Sequence, residues 1–337
     1  MHMQNELLSL PVAAGTIAVA AVSLGSLCRK AGKALSSQTR VLMGLLGAFV
    51  FAAQMVNFPL PLMPGTSGHM VGAVLLAIIL GPNQAAITLA SVVIIQCLVF
   101  QDGGLIALGC NIINIAIVPS YVGYYMYRLL QRRRTSPFSE YLSAVFASIA
   151  ALAAGAVLVP IQAALSGVLL IPFHTFLFTM LAVHLLIGLI EGIITASVIA
   201  YIRKVRPDIL HTSVQTLGPV SSKAFYCMLI ISIVIIAAGL SLFASDLPDG
   251  LEWSYKERPD QPAFERVIKN PGAAVVAADR LQQKYSPMPD YTLRAEAVKD
   301  APAWQSFAGI AGSALTMGLV WLTAFLLRKT SRSGGNK

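Results

Sequence analysis

The sequence has 337 residues, of which 56% are hydrophobic and only 12% charged, with a net charge of +9. A soluble domain carries about 25% charged residues, so the composition excludes a soluble protein and indicates a chain that lies largely in a membrane. The placement of the basic residues excludes a nucleic-acid-binding patch. Sixteen of the 24 fall in four short clusters: Arg29/Lys30/Lys33/Arg40, Arg128/Arg132/Arg133/Arg134, Arg203/Lys204/Arg206/Lys223 and Arg328/Lys329/Arg332/Lys337. The rest lie between Asp246 and Asp300, interleaved with acidic residues.

The first six residues contain Glu6 and no Lys or Arg, so they lack the basic start of a cleaved signal peptide. Bulky Leu27 before Cys28 argues against a lipoprotein cleavage site. Residues 10–27 are therefore expected as a retained first helix. Further apolar runs predict helices over 41–56, 69–80, 84–100, 104–129, 140–160, 179–202, 224–243 and 304–327. The run at 69–80 is short, and needs neighbours or a buried non-helical loop to complete a crossing. Alternating these nine spans puts all four basic clusters on the cytoplasmic side, as the positive-inside rule requires. Met1 and the loops 57–68 and 101–104, which hold no basic residue, then lie outside.

The expected fold class is an all-α polytopic membrane protein. Its plan is a seven-helix core over 1–206, a cytoplasmic linker over 207–223 and a two-helix segment over 224–337. The last carries a small extracytoplasmic domain at 244–303, with helical-looking pieces at 263–268 and 273–284. A domain of that size without disulfides is marginal alone and is expected to lean on the core. Cys28, Cys97, Cys110 and Cys227 all sit in or beside apolar runs, as small buried residues do.

The amino terminus suggests chemistry. Methionine aminopeptidase acts only where residue 2 is small, so His2 predicts that Met1 is retained with a free α-amine. That amine, the His2 backbone nitrogen and the His2 imidazole can close a five- and a six-membered chelate ring on one metal. Three coplanar nitrogens with one open corner suit Ni(II) or Cu(II). His69, closing the outer loop rich in Pro and Gly, is a candidate for the fourth. A lone His at such a position is also commonly structural or interfacial.

Several blocks together resemble the cobalt/nickel substrate-capture subunits (CbiM and NikM) of energy-coupling-factor transporters. They are Met1-His2, Gln54-Met55-Val56-Asn57-Phe58-Pro59, Gly65-Thr66-Ser67-Gly68-His69, Phe100-Gln101-Asp102-Gly103-Gly104, Gly109-Cys110-Asn111-Ile112-Ile113-Asn114 and His184 through Glu191-Gly192. Pro248-Asp249-Gly250-Leu251-Glu252 resembles the outer domain of their small two-helix partner, here fused to the core. The resemblance implies an energy-coupling-factor core whose external amino terminus threads inward. It implies metal ligands at Met1, His2 and His69, with Ni2+ or Co2+ as transported substrate and no permanent cofactor. It also implies a transmembrane coupling subunit and cytoplasmic ATPase subunits as partners, in the cell (inner) membrane. Glu6 departs from the glycine common near that position in the family.

Other residues have two readings each. His184 and Glu191, seven apart, share a helix face about 10 Å apart along the axis, either beside the metal or as buried structural groups. Asn111 and Asn114 either hold the threaded loop or bridge helices, and Ser67 is a further candidate beside the ligands. His174 and His211 read as solvated. The small-residue face Ala14/Ala18/Ala21/Gly25 permits close helix packing, internally or with a coupling partner. No Gly-rich phosphate loop followed by Lys is present, so the chain is expected not to hydrolyse ATP or act as an enzyme. Two rivals are an intramembrane serine protease using Ser67 and His184, and a stand-alone proton-coupled metal carrier using Glu191.

Overall fold

The computed structural model describes residues 1–32, 35–132, 136–210, 220–256, 267–292 and 302–333. Among the described residues the chain is almost wholly helical, with one two-stranded ribbon. Helix α1 spans Leu10–Gly32 and α2 spans Ser37–Gln54. A loop then leads to α3, Ala73–Leu80, and a tight turn at Gly81 leads to α4, Pro82–Phe100. Helix α5 runs from Leu108–Asn111 through a π-helical stretch, Ile112–Ile117, into Val118–Gln131. Helices α6, Pro137–Leu165, and α7, Phe173–Val205, follow. The carboxy-terminal segment supplies α8 (Ser222–Ala238), the short α9 (Gly250–Tyr255), α10 (Ala273–Tyr285) and α11 (Pro302–Ser333).

Serine caps fix three helix starts. Ser36, Ser136 and Ser221 each accept a backbone N–H with Oγ, from Thr39, Ser139 and Ala224. Each such cap contributes about 1 kcal/mol. Helices α1, α4, α6, α7, α8 and α11 are each long and apolar enough to cross a membrane. Their outward faces remain apolar, with Val22, Ile231 and Trp321 exposed. This is a multi-pass membrane protein.

Helix α3 lies at the centre, with every residue from Ala73 to Leu80 buried. It packs on α4, α5 and α6, while α6 runs along α7. The carboxy-terminal α11 packs along α2 and α8. The third helix starts at Ala73 rather than at the expected residue 69, and the cause is local. Gly72 adopts φ +78°, a left-handed conformation that ends any helix approaching from its amino-terminal side. The Val71 and Gly72 N–H groups donate to Glu191 of α7 instead, at 2.5 and 3.0 Å. His69 therefore lies on a loop, and Glu191 anchors the turn beside it.

The loop between α2 and α3 pairs Phe58–Pro59 with Ser67–Gly68, antiparallel, in the register Phe58 opposite Gly68 and Pro59 opposite Ser67. The carboxy-terminal segment rests on this loop and its neighbours. Ser67 N–H donates to Pro248 O at 2.9 Å, Ser245 N–H to Asn57 O at 2.9 Å and Met288 N–H to Val99 O at 3.0 Å. Leu170 N–H donates to Val267 O at 2.8 Å. The expected helix over 263–268 is corrected where it can be seen. Ile268 is extended and bridges Leu169, because these residues pair with the loop after α6. The remainder of that piece lies outside the described residues, as do most of the expected linker with His211, and Lys33, Arg133, Arg134 and Lys337 of the basic clusters.

Candidate metal centre

The amino-terminal segment enters the helix bundle as a plug. Met1, His2, Met3, Asn5, Leu7 and Leu8 are all buried. Backbone and amide groups hold it at each step. Asn111 of α5 accepts the Met3 N–H at 2.7 Å and donates to Met3 O at 3.1 Å, which also receives the Gly104 N–H at 2.8 Å. Gly104 is required by this approach, since a Cβ there would collide with the Asn5 backbone. Asn114 donates to the Met3 sulfur at 3.5 Å and exchanges two hydrogen bonds with Gln162 of α6, at 2.7 and 2.9 Å. The π-helical stretch of α5 contains Asn114 and follows Asn111 directly.

Gln282 of α10 locks the plug from outside. Its amide donates to Cys97 O at 3.0 Å and Gly103 O at 2.8 Å, and its oxygen accepts from Asn5 at 3.2 Å and the Leu105 N–H at 2.9 Å.

These anchors set out a cluster of nitrogens. The His2 and His69 rings stack with centroids 5.4 Å apart. His2 Nε2 meets Gln96 Oε1 at 3.1 Å. Gln96 spends its amide N–H on Gln54 Oε1 at 2.6 Å, and Gln54 donates to Val71 O at 2.8 Å. This relay makes Gln96 Oε1 an acceptor for the His2 Nε2–H and turns Nδ1 toward Asp102. His69 donates from Nδ1 to Met70 O at 3.1 Å, which leaves its Nε2 free. Tying off one ring nitrogen is how proteins orient a metal-ligating imidazole.

Carboxylates hold the other donors. The Met1 ammonium lies 3.5 Å from Asp249, and His2 Nδ1 lies 3.4 Å from Asp102. Asp102 is fixed in turn by the Tyr291 hydroxyl at 2.7 Å. Asp249 also caps α9, accepting the Glu252 N–H at 2.7 Å. Burial alone would raise the Asp249 carboxyl. The Met1 ammonium, the Glu252 N–H and the two imidazoles outweigh it and hold the group below the usual carboxylate range. Burial, with the Met1 ammonium and the His2 ring, pushes His69 down to about 4, so it stays neutral at physiological pH.

A vestibule of about 590 Å³ leads to this cluster. It is lined by His2, His69, Asp102, Asp246, Asp249, Glu252 and Asp290 among others, and among the described residues its wall has no Lys or Arg. Among the described residues, no three His, Cys, Asp or Glu side chains converge as a metal site.

The remaining sequence candidates fall as follows. Ser67 Oγ donates to Leu247 O at 2.7 Å, tying the loop of His69 to the turn of Asp249. It makes no hydrogen bond to His184, whose Nδ1 donates to Met180 O at 2.8 Å. A protease dyad is thus not assembled. His174 is exposed. The sequence reading missed Gln96, Gln282 and Asn5 altogether. It quoted Gln54, Asp102 and Asp249 only inside motifs. Isolated amides in apolar helices carry no spacing signal.

The fold defines a multi-pass membrane protein with a polar pocket between its helices and its carboxy-terminal segment. Residues 2–209 match the CbiM family, described as the cobalt uptake substrate-specific transmembrane region, and residues 223–329 match the PDGLE domain. A protein of Archaeoglobus fulgidus named "Putative fused nickel transport protein NikMN" is 33% identical over 95% of this chain and 96% of its own length. The fused nickel transport protein NikMN of Rhodobacter capsulatus is 27% identical over 99% of this chain and 100% of its own. The cobalt transport protein CbiM of Sorangium cellulosum is 29% identical over 53% of this chain and 80% of its own. The chain belongs to the CbiM family of cobalt/nickel transport proteins, in its form fused to a PDGLE domain.

Proposed function

We propose that this chain captures Ni2+ or Co2+ from outside the cell as the substrate-binding subunit of an energy-coupling-factor importer. The ligands are the Met1 amine, the His2 backbone nitrogen, His2 Nδ1 and His69 Nε2. One observation carries this reading. Two buried imidazoles, each with its other ring nitrogen tied to a protein oxygen, stack beside the amino terminus. Among the described residues the His2 N–H has no backbone acceptor, so the nitrogen that a metal must deprotonate is unengaged.

In this reading the membrane core has seven helices and an outer amino terminus, and the four basic clusters face the cytoplasm. The acidic vestibule draws in the hydrated cation. The ion takes the amine lone pair while Asp249 stays beside the amine N–H groups, displaces Asp102 from His2, and sheds water as four nitrogens close on it. Separate ATPase subunits, acting through a transmembrane coupling subunit, then drive release inward. Four planar nitrogens favour nickel, and both full-length relatives named above carry nickel in their names.

Metal analysis of the purified protein tests this, comparing wild type with His2→Ala and His69→Ala. Wild type should retain nickel or cobalt, and both variants should lose it. Unchanged metal in both variants removes the proposed site.

A further inference from the structure

His184 of α7 is buried and shares a cavity wall with Met1 and His69. Its Nδ1 donates to Met180 O at 2.8 Å, so its Nε2 is a bare lone pair. Among the described residues that Nε2 has no protein partner. It borders a cavity of about 10 Å³ whose wall also includes Met1, His69, Asp249 and the apolar side chains of Val71, Leu152 and Ile187. Such a volume is about what one water molecule needs, and a buried water requires several polar partners. The Met1 amine, Asp249 and the His184 lone pair supply them.

We propose that His184 is a positioning residue for the Met1 amine, acting through one water molecule seated in this cavity. The inference rests on the ligand assignment above. A metal-bound primary amine keeps two N–H groups. Asp249, 3.5 Å away, stands on one side of the amine. His69 Nε2 is reserved for the metal, so the remaining acceptor in the cavity wall is His184 Nε2. The water takes the second N–H and donates to the imidazole. Two acceptors on different sides fix the rotation of the amine about the Met1 Cα–N bond, and hence the direction of its lone pair. Outer-shell partners of this kind orient metal ligands generally.

Titration of the purified full-length chain with NiCl2 tests the inference, using wild type, His184→Leu and His184→Gln. Loss of an outer-shell partner typically costs about 10–100-fold in metal affinity, and that is the rise in Kd expected for His184→Leu. Gln places an amide near the position of Nε2 and should recover most of the affinity. A role in packing alone would not restore binding through the polar end of the side chain. Binding by His184→Leu within twofold of wild type, or a His184→Gln protein as weak as His184→Leu, overturns the inference. Wild type that binds no nickel or cobalt instead overturns the ligand assignment itself.

Discussion

The amino-terminal plug and the PDGLE turn reach the same pocket from distant parts of the chain, and they are anchored in different ways. Residues 1–8 are gripped by side-chain amides of the membrane helices, Asn111 and Gln96, and by the Gly104 backbone. The PDGLE turn is held by the outer loop, through Ser67 and the Pro248 carbonyl. The plug brings nitrogen donors. The turn brings Asp249, which holds the amine without supplying a nitrogen. The contrast teaches that the membrane helices place the nitrogen groups, while the fused segment adds Asp246, Asp249, Glu252 and Asp290 to the vestibule wall.

The largest expected effect comes from breaking the plug's donors. His2→Ala removes an imidazole and the six-membered chelate ring, and nickel binding should fall below detection by titration calorimetry. His69→Ala leaves three nitrogens in place. Its Kd should rise on the order of 100-fold, equivalent to about 2.8 kcal/mol.

The pH dependence sharpens the same side of the comparison. Metal binding must release a proton from the His2 amide and one from the Met1 ammonium. Protons compete for both sites, so affinity should fall by up to about two decades per pH unit as pH drops. His69, already neutral down to about pH 4, adds no proton of its own above that value. Nickel Kd measured at several pH values checks the slope.

Effects on the fused side should be smaller. Gln282→Ala strips partners from Asn5, Cys97 O and Gly103 O, and buried unsatisfied groups cost roughly 1–3 kcal/mol. Faster hydrogen exchange over residues 1–9 would report the loosened plug. Neutralising Asp246 and Asp290 together should slow nickel association by about 10-fold at low ionic strength, with the difference vanishing at high salt. An association rate indifferent to both charges would remove the steering role of the vestibule.

Much of this was legible in the sequence. Apolar runs and the basic clusters located the long helices, because membrane burial demands long uncharged segments. His2 and His69 stand out as candidates because the first two residues offer three nitrogens at chelating spacing and His69 closes a loop rich in Pro and Gly. The start of α3 was misplaced because Gly72 and Glu191 set it, and Glu191 is over a hundred residues away. The amide relay from Val71 through Gln54 and Gln96 to His2 was hidden for a related reason. It joins single amides on separate helices, and no local pattern marks them.

The central claim is that residue 2 and the amine before it form the metal site. Nickel stoichiometry should therefore be measured for the native chain and for one bearing two extra glycines before Met1. The extension keeps every side chain but moves the amine and places the histidine fourth, so that the amine, one backbone nitrogen and the imidazole no longer close adjoining chelate rings. The native chain should bind one nickel per chain and the extended chain none. Equal binding by the two would contradict the account.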